Sequence, residues 1–379
     1  MLSHRDAVEY FCHTSFGCAW ASGLPVEKSV LTVINASPDD DDDDEDEEIY
    51  AEWPSAHKRR AYRHAGDDDD IFEMTTPHPR VPFWPQLPGY EALVDLGSDG
   101  LSTAYRACQT RLNRTVEMRT LLPEATLDGG TAACLRREAS MLARLHHPLV
   151  ASLLDFVEHD ARPFLILEWI NGETLDQWIA ERLQPVRSAA MLVAHLAKTV
   201  SSVHAAGVIH CDLKPRNVFL PAPPLLPAGK AVDDFDDGER YGTPMLKGFQ
   251  LALDREAIQQ LKPGETSGTP RYMSPEQWLA RHQDIGPPTD IYSLGVILYE
   301  LLTGRTPFNY PRIEQLRKSI LEAEPIPPRE LRRELDPRLE SVCLKCLRKD
   351  PSQRYTTGSA LDADLRASLL KPARRYWFW

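Results

Sequence analysis

The apolar and polar positions divide the chain into a strand-rich part followed by a helix-rich part. Alternating apolar residues and turn signals fill Tyr90 to Leu122, which predicts strands, and the apolar run from Pro163 to Ile170 has the length of one buried strand. Apolar residues at helical spacing predict helices over Thr131–Leu145, Thr174–Arg182, Ser188–Ala206, Asp290–Thr303, Arg312–Glu322, Leu339–Leu347 and Gly358–Leu370. This order of elements predicts an α+β fold with two lobes.

Two segments lack such a pattern. We predict that residues 1–80 form a disordered acidic tail followed by a Pro-rich arm, because like charges repel and little apolar surface can be buried. The arm serves either as a linker or as a docking segment that reaches the folded domain through Phe83 and Trp84. Residues 221–243, rich in Pro, Asp and Gly, are predicted to be a surface insertion in a folded domain that spans 88–370.

The negative charge of the chain is concentrated in the tail. Ten consecutive acids from Asp39 to Glu48 and four from Asp67 to Asp70 account for the whole formal net charge of −13. The folded part is therefore near neutral, which argues against a nucleic-acid-binding surface. Three interpretations of the tail stay open: a solvated segment, a docking arm for a basic partner, and an autoinhibitory segment that folds onto the lobes.

The sequence also bears on the compartment. Seven scattered cysteines, an odd number, favour a reducing compartment over a disulfide framework. No apolar run approaches the roughly 18–20 residues of a membrane span. The N-terminus lacks the basic start and apolar core of a secretory signal. We therefore expect a cytoplasmic protein without a membrane span.

Four motifs follow one another between Tyr90 and Leu370. They are HCDLKPRN at 210–217, SGTPRYMSPEQW at 267–278, TDIYSLGVILYELLTGRTPF at 289–308 and CLRKDPSQRY at 346–355. In this order they resemble the catalytic loop, the end of the activation segment, the following core helix and a late helix of Ser/Thr protein kinases, in the form common in bacteria. The resemblance implies an N-lobe at 88–168, a C-lobe at 169–370, and a buried ion pair between Glu276 and Arg354.

The phosphoryl-transfer residues of the catalytic loop are retained. The resemblance places Asp212 where the kinase Asp meets the substrate hydroxyl, Lys214 near the transferred phosphate, and Asn217 where one magnesium ligand belongs. Cys211 replaces the Arg of the motif. Since that Arg often meets a phosphate on the activation loop, control by phosphorylation of the loop becomes doubtful.

The phosphate-cradling loop departs from the kinase pattern. It is LGSDGLSTAYRA, at 96–107, and it keeps Gly97 and Gly100. Asp99 and Ser102 hold the two other glycine positions, where backbone N–H groups close over the phosphates. A carboxylate at Asp99 would repel those phosphates.

The next strand departs as well. In TVEMRTL, at 115–121, Arg119 takes the position of the nucleotide-binding lysine, and Glu117 takes that of the alanine that packs on adenine. A carboxylate that faces an apolar base pocket is costly to desolvate. We expect Glu138, on the following helix, to pair with Arg119 even without nucleotide. The hinge that begins at Glu168 looks ordinary.

The magnesium-binding triplet Asp-Phe-Gly is also altered. The segment PMLKGFQLALD aligns Gly248-Phe249-Gln250 with that triplet, so its metal carboxylate is absent. An alternative alignment uses Asp234-Phe235-Asp236 in the insertion, whose distance from Asn217 is closer to the usual one. The apolar residues that flank Gly248 favour the first alignment.

These departures cluster around the nucleotide, whereas structural positions are kept. The resemblance therefore predicts a pseudokinase, in which ATP binding is weak or lost and Mg²⁺ use is doubtful, acting as a regulatory or scaffolding module for a protein partner. The alternative is an active Ser/Thr protein kinase that transfers the ATP γ-phosphate to hydroxyls of a protein substrate with an altered metal site.

Overall fold

The computed structural model describes residues 83–98, 102–122, 129–179, 184–221 and 243–370, with the backbone alone for residues 129–131. The predicted acidic tail, nearly all of the predicted insertion and residues 371–379 lie outside this described part. Predictions about those segments stay predictions.

The N-lobe is built on an antiparallel five-stranded sheet. Three of its strands lie in the alternating segment 90–122 and one in the apolar run at 163–170, as predicted, whereas the strand at 153–159 was not predicted. The strands are β1 (Tyr90–Ser98), β2 (Ser102–Gln109), β3 (Arg114–Leu121), β4 (Leu153–His159) and β5 (Arg162–Glu168). They lie side by side in the order β1-β2-β3-β5-β4. The helix α1 (Gly129–Leu142) packs against β5, and it carries Glu138 towards β3. Leu135 and Met141 of α1 join the same core cluster as Leu165 of β5.

The C-lobe is mainly helical. Its helices are α2 (Leu175–Ile179), α3 (Val186–Ala205), α4 (Arg255–Gln260), α5 (Pro275–Trp278), α6 (Pro287–Thr303), α7 (Ile313–Glu322), α8 (Pro328–Leu331), α9 (Pro337–Cys346) and α10 (Gly358–Ser368). Its short strands are β6 (Gly172–Thr174), β7 (Val208–Ile209), β8 (Val218–Pro221), β9 (Met245–Leu246) and β10 (Leu253–Asp254). They form two small sheets, ordered β6-β8-β9 and β10-β7. The α+β, two-lobed prediction is confirmed.

Helix starts differ from the predicted ones because a proline opens several first turns. α6 begins at Pro287 and α9 at Pro337, each earlier than the apolar period suggested. Proline is favourable at this position, since its missing N–H has no partner inside the helix. Asp336 caps α9 by accepting a hydrogen bond from the Arg338 backbone N–H at 2.8 Å.

Helix α6 lies at the centre of the C-lobe. Nearly all of its residues are buried, so the helix is covered on every face. This explains why its apolar residues are not confined to one face of the helix. It packs against α3 and α9. Gly295 permits the close approach to α9, because a Cβ at this position would lie 2.5 Å from the Cβ of Cys346.

The described end of the Pro-rich arm packs on the N-lobe sheet. The Tyr105 hydroxyl donates a hydrogen bond to the Phe83 carbonyl, and the Trp84 and Tyr105 rings lie 5.9 Å apart. The Arg162 guanidinium lies 4.5 Å from the Phe83 ring. Leu87 is buried in the same apolar cluster as Tyr105. For these residues the contacts favour docking over a linker.

Two further observations concern membrane spans and the cysteines. Within the described ranges, no helix combines the length and the apolar character that crossing a membrane requires. Cys108, Cys211, Cys343 and Cys346 are free thiols, whereas Cys134 is disulfide-bonded. The cysteine pattern had not predicted that bond.

Candidate functional site

The predicted catalytic loop follows β7 and is held by a carboxylate from α6. Asp290 accepts hydrogen bonds from the backbone N–H groups of His210 (2.8 Å) and Cys211 (2.9 Å), and it lies 2.7 Å from His204 Nε2. Burial alone would raise the pKa of Asp290, but its interactions with His204 and His210 together outweigh burial and lower that pKa. These contacts hold Cys211 at a φ of 63°, which is costly for a residue with a side chain.

The carboxylate of Asp212 joins the predicted loop residues to the activation segment. Its Oδ1 accepts hydrogen bonds from the Thr269 backbone N–H (2.9 Å) and hydroxyl (2.7 Å). Its Oδ2 lies 3.0 Å from Lys214 Nζ, and the Asn217 amide donates to the Asp212 backbone carbonyl at 2.8 Å. The structure therefore brings Asp212, Lys214 and Asn217 together. It adds Thr269, which the sequence analysis had not placed here.

This geometry suits proton transfer from a hydroxyl group. The Thr269 hydroxyl donates to Asp212 while it accepts a hydrogen bond from Lys214 Nζ at 2.6 Å. A carboxylate that faces a hydroxyl, with a cation beside both, can orient the hydroxyl and accept its proton. In the cleft between the two lobes, the C-lobe side therefore keeps the arrangement that hydroxyl activation requires.

Cys211 supplies no positive charge at the position of the motif Arg. Its side chain is buried, and burial raises the pKa of the thiol well above its usual value. Its backbone carbonyl accepts a hydrogen bond of 2.7 Å from Gln277, which also donates to the Ser267 carbonyl at 3.1 Å. A neutral thiol cannot attract a phosphate on the activation segment, and the expectation for control by loop phosphorylation stays a prediction.

A buried chain of four alternating charges crosses the cleft from the N-lobe to the C-lobe. The two terminal nitrogens of the Arg119 guanidinium lie 3.0 Å from Glu138 and 3.1 Å from Glu117. Glu117 in turn forms an ion pair with Lys247. The predicted Arg119–Glu138 pair is present, but it is only half of the network. The chain runs from α1 through β3 to the residue that precedes Gly248.

Lys247 is the site residue that sequence reasoning missed. Its side chain is buried, and its ammonium lies between the Glu117 carboxylate and the Phe219 ring, 4.5 Å from the ring centroid. Two signals in the sequence point to it. A lysine inside the apolar segment MLKGF needs a buried partner, and Glu117 inside β3 needs a buried cation.

We predict that the Glu117 carboxylate makes the free energy of unfolding fall as the pH becomes acidic. Burial would raise the pKa of Glu117, but the charges of Lys247 and Arg119 outweigh burial and lower that pKa from the usual 4.5. A lowered pKa means that this contribution is fully present above about pH 4.5 and is lost as the pH falls through the folded-state pKa. Urea denaturation from about pH 3 to pH 6 should show a shallower acid loss in Glu117→Gln than in the wild type.

The exposed Arg136–Glu158 pair provides the control for this prediction. Both side chains are 49% exposed, so Glu158→Gln should leave the acid dependence unchanged. Equal acid dependence of Glu117→Gln and the wild type would contradict the assigned pairing.

Gly248 lies directly beside Asn217. Its φ of 83° is in the left-handed region. A Cβ at this position would lie 2.5 Å from Asn217 Oδ1, so the amide fills the space that a side chain at 248 would need. Asp234, Asp236 and the rest of the alternative triplet lie outside the described residues.

The remaining predicted nucleotide residues are only partly described. Gly97 has a φ of 104°, and its N–H donates to the Asp95 carboxylate at 2.8 Å. Asp99 and Gly100 lie outside the described residues. Glu168, at the end of β5, accepts a hydrogen bond of 2.9 Å from the Ser152 hydroxyl. The roles of these residues in nucleotide binding stay predictions.

The described residues do not fit a bound ATP·Mg²⁺ in this arrangement. The position expected to pack on adenine holds a charged side chain that is paired across the cleft. The position expected to supply the main metal carboxylate is a glycine whose side-chain space is filled. Asn217 is the retained metal-ligand candidate, and its amide is bonded to Asp212.

Comparison with known proteins identifies the family. The protein kinase domain family matches residues 90–365. Serine/threonine-protein kinase pkn3 of Myxococcus xanthus is 34% identical over 282 residues, covering 73% of this chain and 49% of that protein. PknB of Mycolicibacterium smegmatis, also a serine/threonine-protein kinase, is 30% identical over 282 residues, covering 73% and 42%.

A probable serine/threonine-protein kinase of Streptomyces coelicolor is 30% identical over 288 residues, covering 74% of this chain and 40% of that protein. The chain therefore spans less than half the length of these three curated relatives. The ordered motifs, the two-lobed fold and these matches show that the chain belongs to the protein kinase family.

Proposed function

We propose that the protein is a pseudokinase that uses its kinase-like domain as a regulatory or scaffolding module. The observation that carries this proposal is the buried ion pair that Lys247 forms with Glu117, the residue at the position expected to pack on adenine. A base that entered this position would have to separate two charges that are shielded from water, which is costly. The absence of a metal carboxylate at Gly248 supports the same conclusion.

The rest of the domain supports a binding role. The C-lobe core, the Glu276–Arg354 pair and the hydrogen bonds of the activation segment are made by residues other than those expected to bind nucleotide. A surface held by such contacts can bind a protein partner at a low ordering cost. The existence of such a protein partner, and of a basic partner for the acidic tail, is part of this proposal.

A cytoplasmic site of action is also part of the proposal. Four described cysteines are free thiols, as expected in a reducing compartment. The disulfide of Cys134 argues in the other direction.

One observation favours an active kinase as the second candidate. Asp212, Lys214 and Thr269 are joined as hydroxyl activation requires, and the three relatives described above carry kinase names. Such an enzyme would need a carboxylate from outside the described residues to hold the metal.

Ligand binding and transfer assays separate the two candidates. For the wild type we expect no change in melting temperature with ATP, with or without Mg²⁺, and no transfer of labelled phosphate to generic protein substrates. An active bacterial Ser/Thr kinase domain in the same buffers is the positive control. Transfer by the wild type that disappears in Asp212→Asn would contradict the pseudokinase proposal.

A further inference from the structure

We propose that the Glu117–Lys247 ion pair takes the place of the nucleotide base: it fills the base position and links the two lobes without a ligand. This inference deepens the proposed function and rests on it. Loss of a metal carboxylate alone would weaken only the phosphate end of the cleft. The ion pair instead excludes purines at the base end and gives the cleft its own internal link.

The ion pair lies between the N-lobe side and the C-lobe side of the cleft. Glu117 lies on β3 of the N-lobe, and Phe219 lies on β8 of the C-lobe. The Lys247 ammonium is paired with the carboxylate on one side and lies 4.5 Å from the Phe219 ring on the other. The Glu117 carboxylate, the Lys247 ammonium and the Phe219 ring are stacked one after another. Together they fill the layer between the lobes in which the family resemblance places the planar base.

The pair is shielded from water. The side chains of Glu117 and Lys247 are 5% and 7% exposed. Opposite charges attract more strongly in such surroundings than at a surface, and separating them leaves two poorly solvated ions. An uncharged purine offers neither partner a compensating charge, so it cannot displace the pair without that cost.

The backbone on both sides of the cleft fixes the two partners. The Lys247 backbone N–H donates to the Asn217 carbonyl at 2.9 Å. The Lys247 carbonyl lies 2.9 Å from His210 Nε2, in the catalytic loop. In the N-lobe, Arg119 connects Glu117 to Glu138 of α1. A continuous series of contacts therefore runs from α1 to the catalytic loop.

Adenosine is the probe that tests the base position, because it has no phosphate and needs no metal. The small-residue double variant, Glu117→Ala with Lys247→Ser, removes the side chains that fill the layer. The volume-matched double variant, Glu117→Gln with Lys247→Met, removes both charges but keeps the bulk. Isothermal titration with adenosine up to about 1 mM should detect binding to the small-residue variant alone.

Three outcomes would contradict the proposal that the ion pair fills the base position. Adenosine binding by the wild type, or equal binding by both double variants, would overturn the inference. Absence of binding to a folded small-residue variant would overturn it as well. The latter result would leave the proposed function standing, whereas Mg²⁺-dependent ATP transfer by the wild type would remove the proposed function itself.

A double-mutant cycle tests the link between the lobes even if the small-residue variant does not fold. The cycle uses Glu117→Gln, Lys247→Met and their volume-matched combination, measured by urea unfolding. We expect the effects of the two single changes on the unfolding constant to depart from additivity by about tenfold. The same cycle on Arg136→Met and Glu158→Gln, an exposed pair within the N-lobe, should be close to additive. Additive effects at Glu117 and Lys247 would overturn the proposed link.

Discussion

Replacing Arg354 with alanine is expected to lower the free energy of unfolding by about 3–5 kcal/mol. The guanidinium forms a two-bond ion pair with Glu276, with both distances 2.8 Å, and the two side chains are 0% and 2% exposed. It also donates to the backbone carbonyls of Arg348, Lys349 and Pro288, so all five of its N–H groups are used. The variant leaves the Glu276 charge buried without its cation.

Thermal unfolding should therefore shift downwards by on the order of 10 °C. Arg338→Ala is the matched control in the same lobe, because its pair with Asp336 is exposed, and it should change stability little. Arg354→Met combined with Glu276→Leu should recover much of the loss, since no buried charge is left over. An unchanged melting temperature in Arg354→Ala would contradict the placement of this pair in the core.

Restoring magnesium-dependent ATP binding is expected to require four changes together. Gly248→Asp supplies the carboxylate, Arg119→Lys the lysine, and Glu117→Ala the small residue that packs on the base. The structure adds Lys247→Ser, because Glu117→Ala alone would leave the Lys247 ammonium buried without its partner. We expect the four-site variant to gain ATP-dependent thermal stabilisation that requires Mg²⁺, while each single change gains little.

Gly248→Ala in the same three-change background is the control for this experiment. Any side chain at 248 must displace the Asn217 amide, so Ala and Asp share this steric cost, and only Asp adds a metal ligand. Asp also tolerates the left-handed backbone there better than most residues. Equal Mg²⁺ dependence of the Ala and Asp variants would contradict the role assigned to position 248.

The sequence by itself determined the fold class and the catalytic loop. Asp212, Lys214 and Asn217 are close in sequence and therefore share one loop, although Asp290 of α6 holds the backbone of that loop. The apolar patterns of α3, α6 and β5 fixed their lengths within a few residues, because burial of a face or of a whole element requires that pattern. The Arg119–Glu138 and Glu276–Arg354 pairs followed from the family resemblance.

The tertiary structure alone decided the contacts between distant segments. Thr269 reaches Asp212 across 57 positions, and Lys247 reaches Glu117 across 130. The docking of Phe83 and Trp84, and the filling of the space at Gly248 by Asn217, were likewise open in the sequence. A sequence shows that a buried charge needs a partner, but only packing places that partner within reach. The role of Lys247 became clear only from its ion pair with Glu117 of β3.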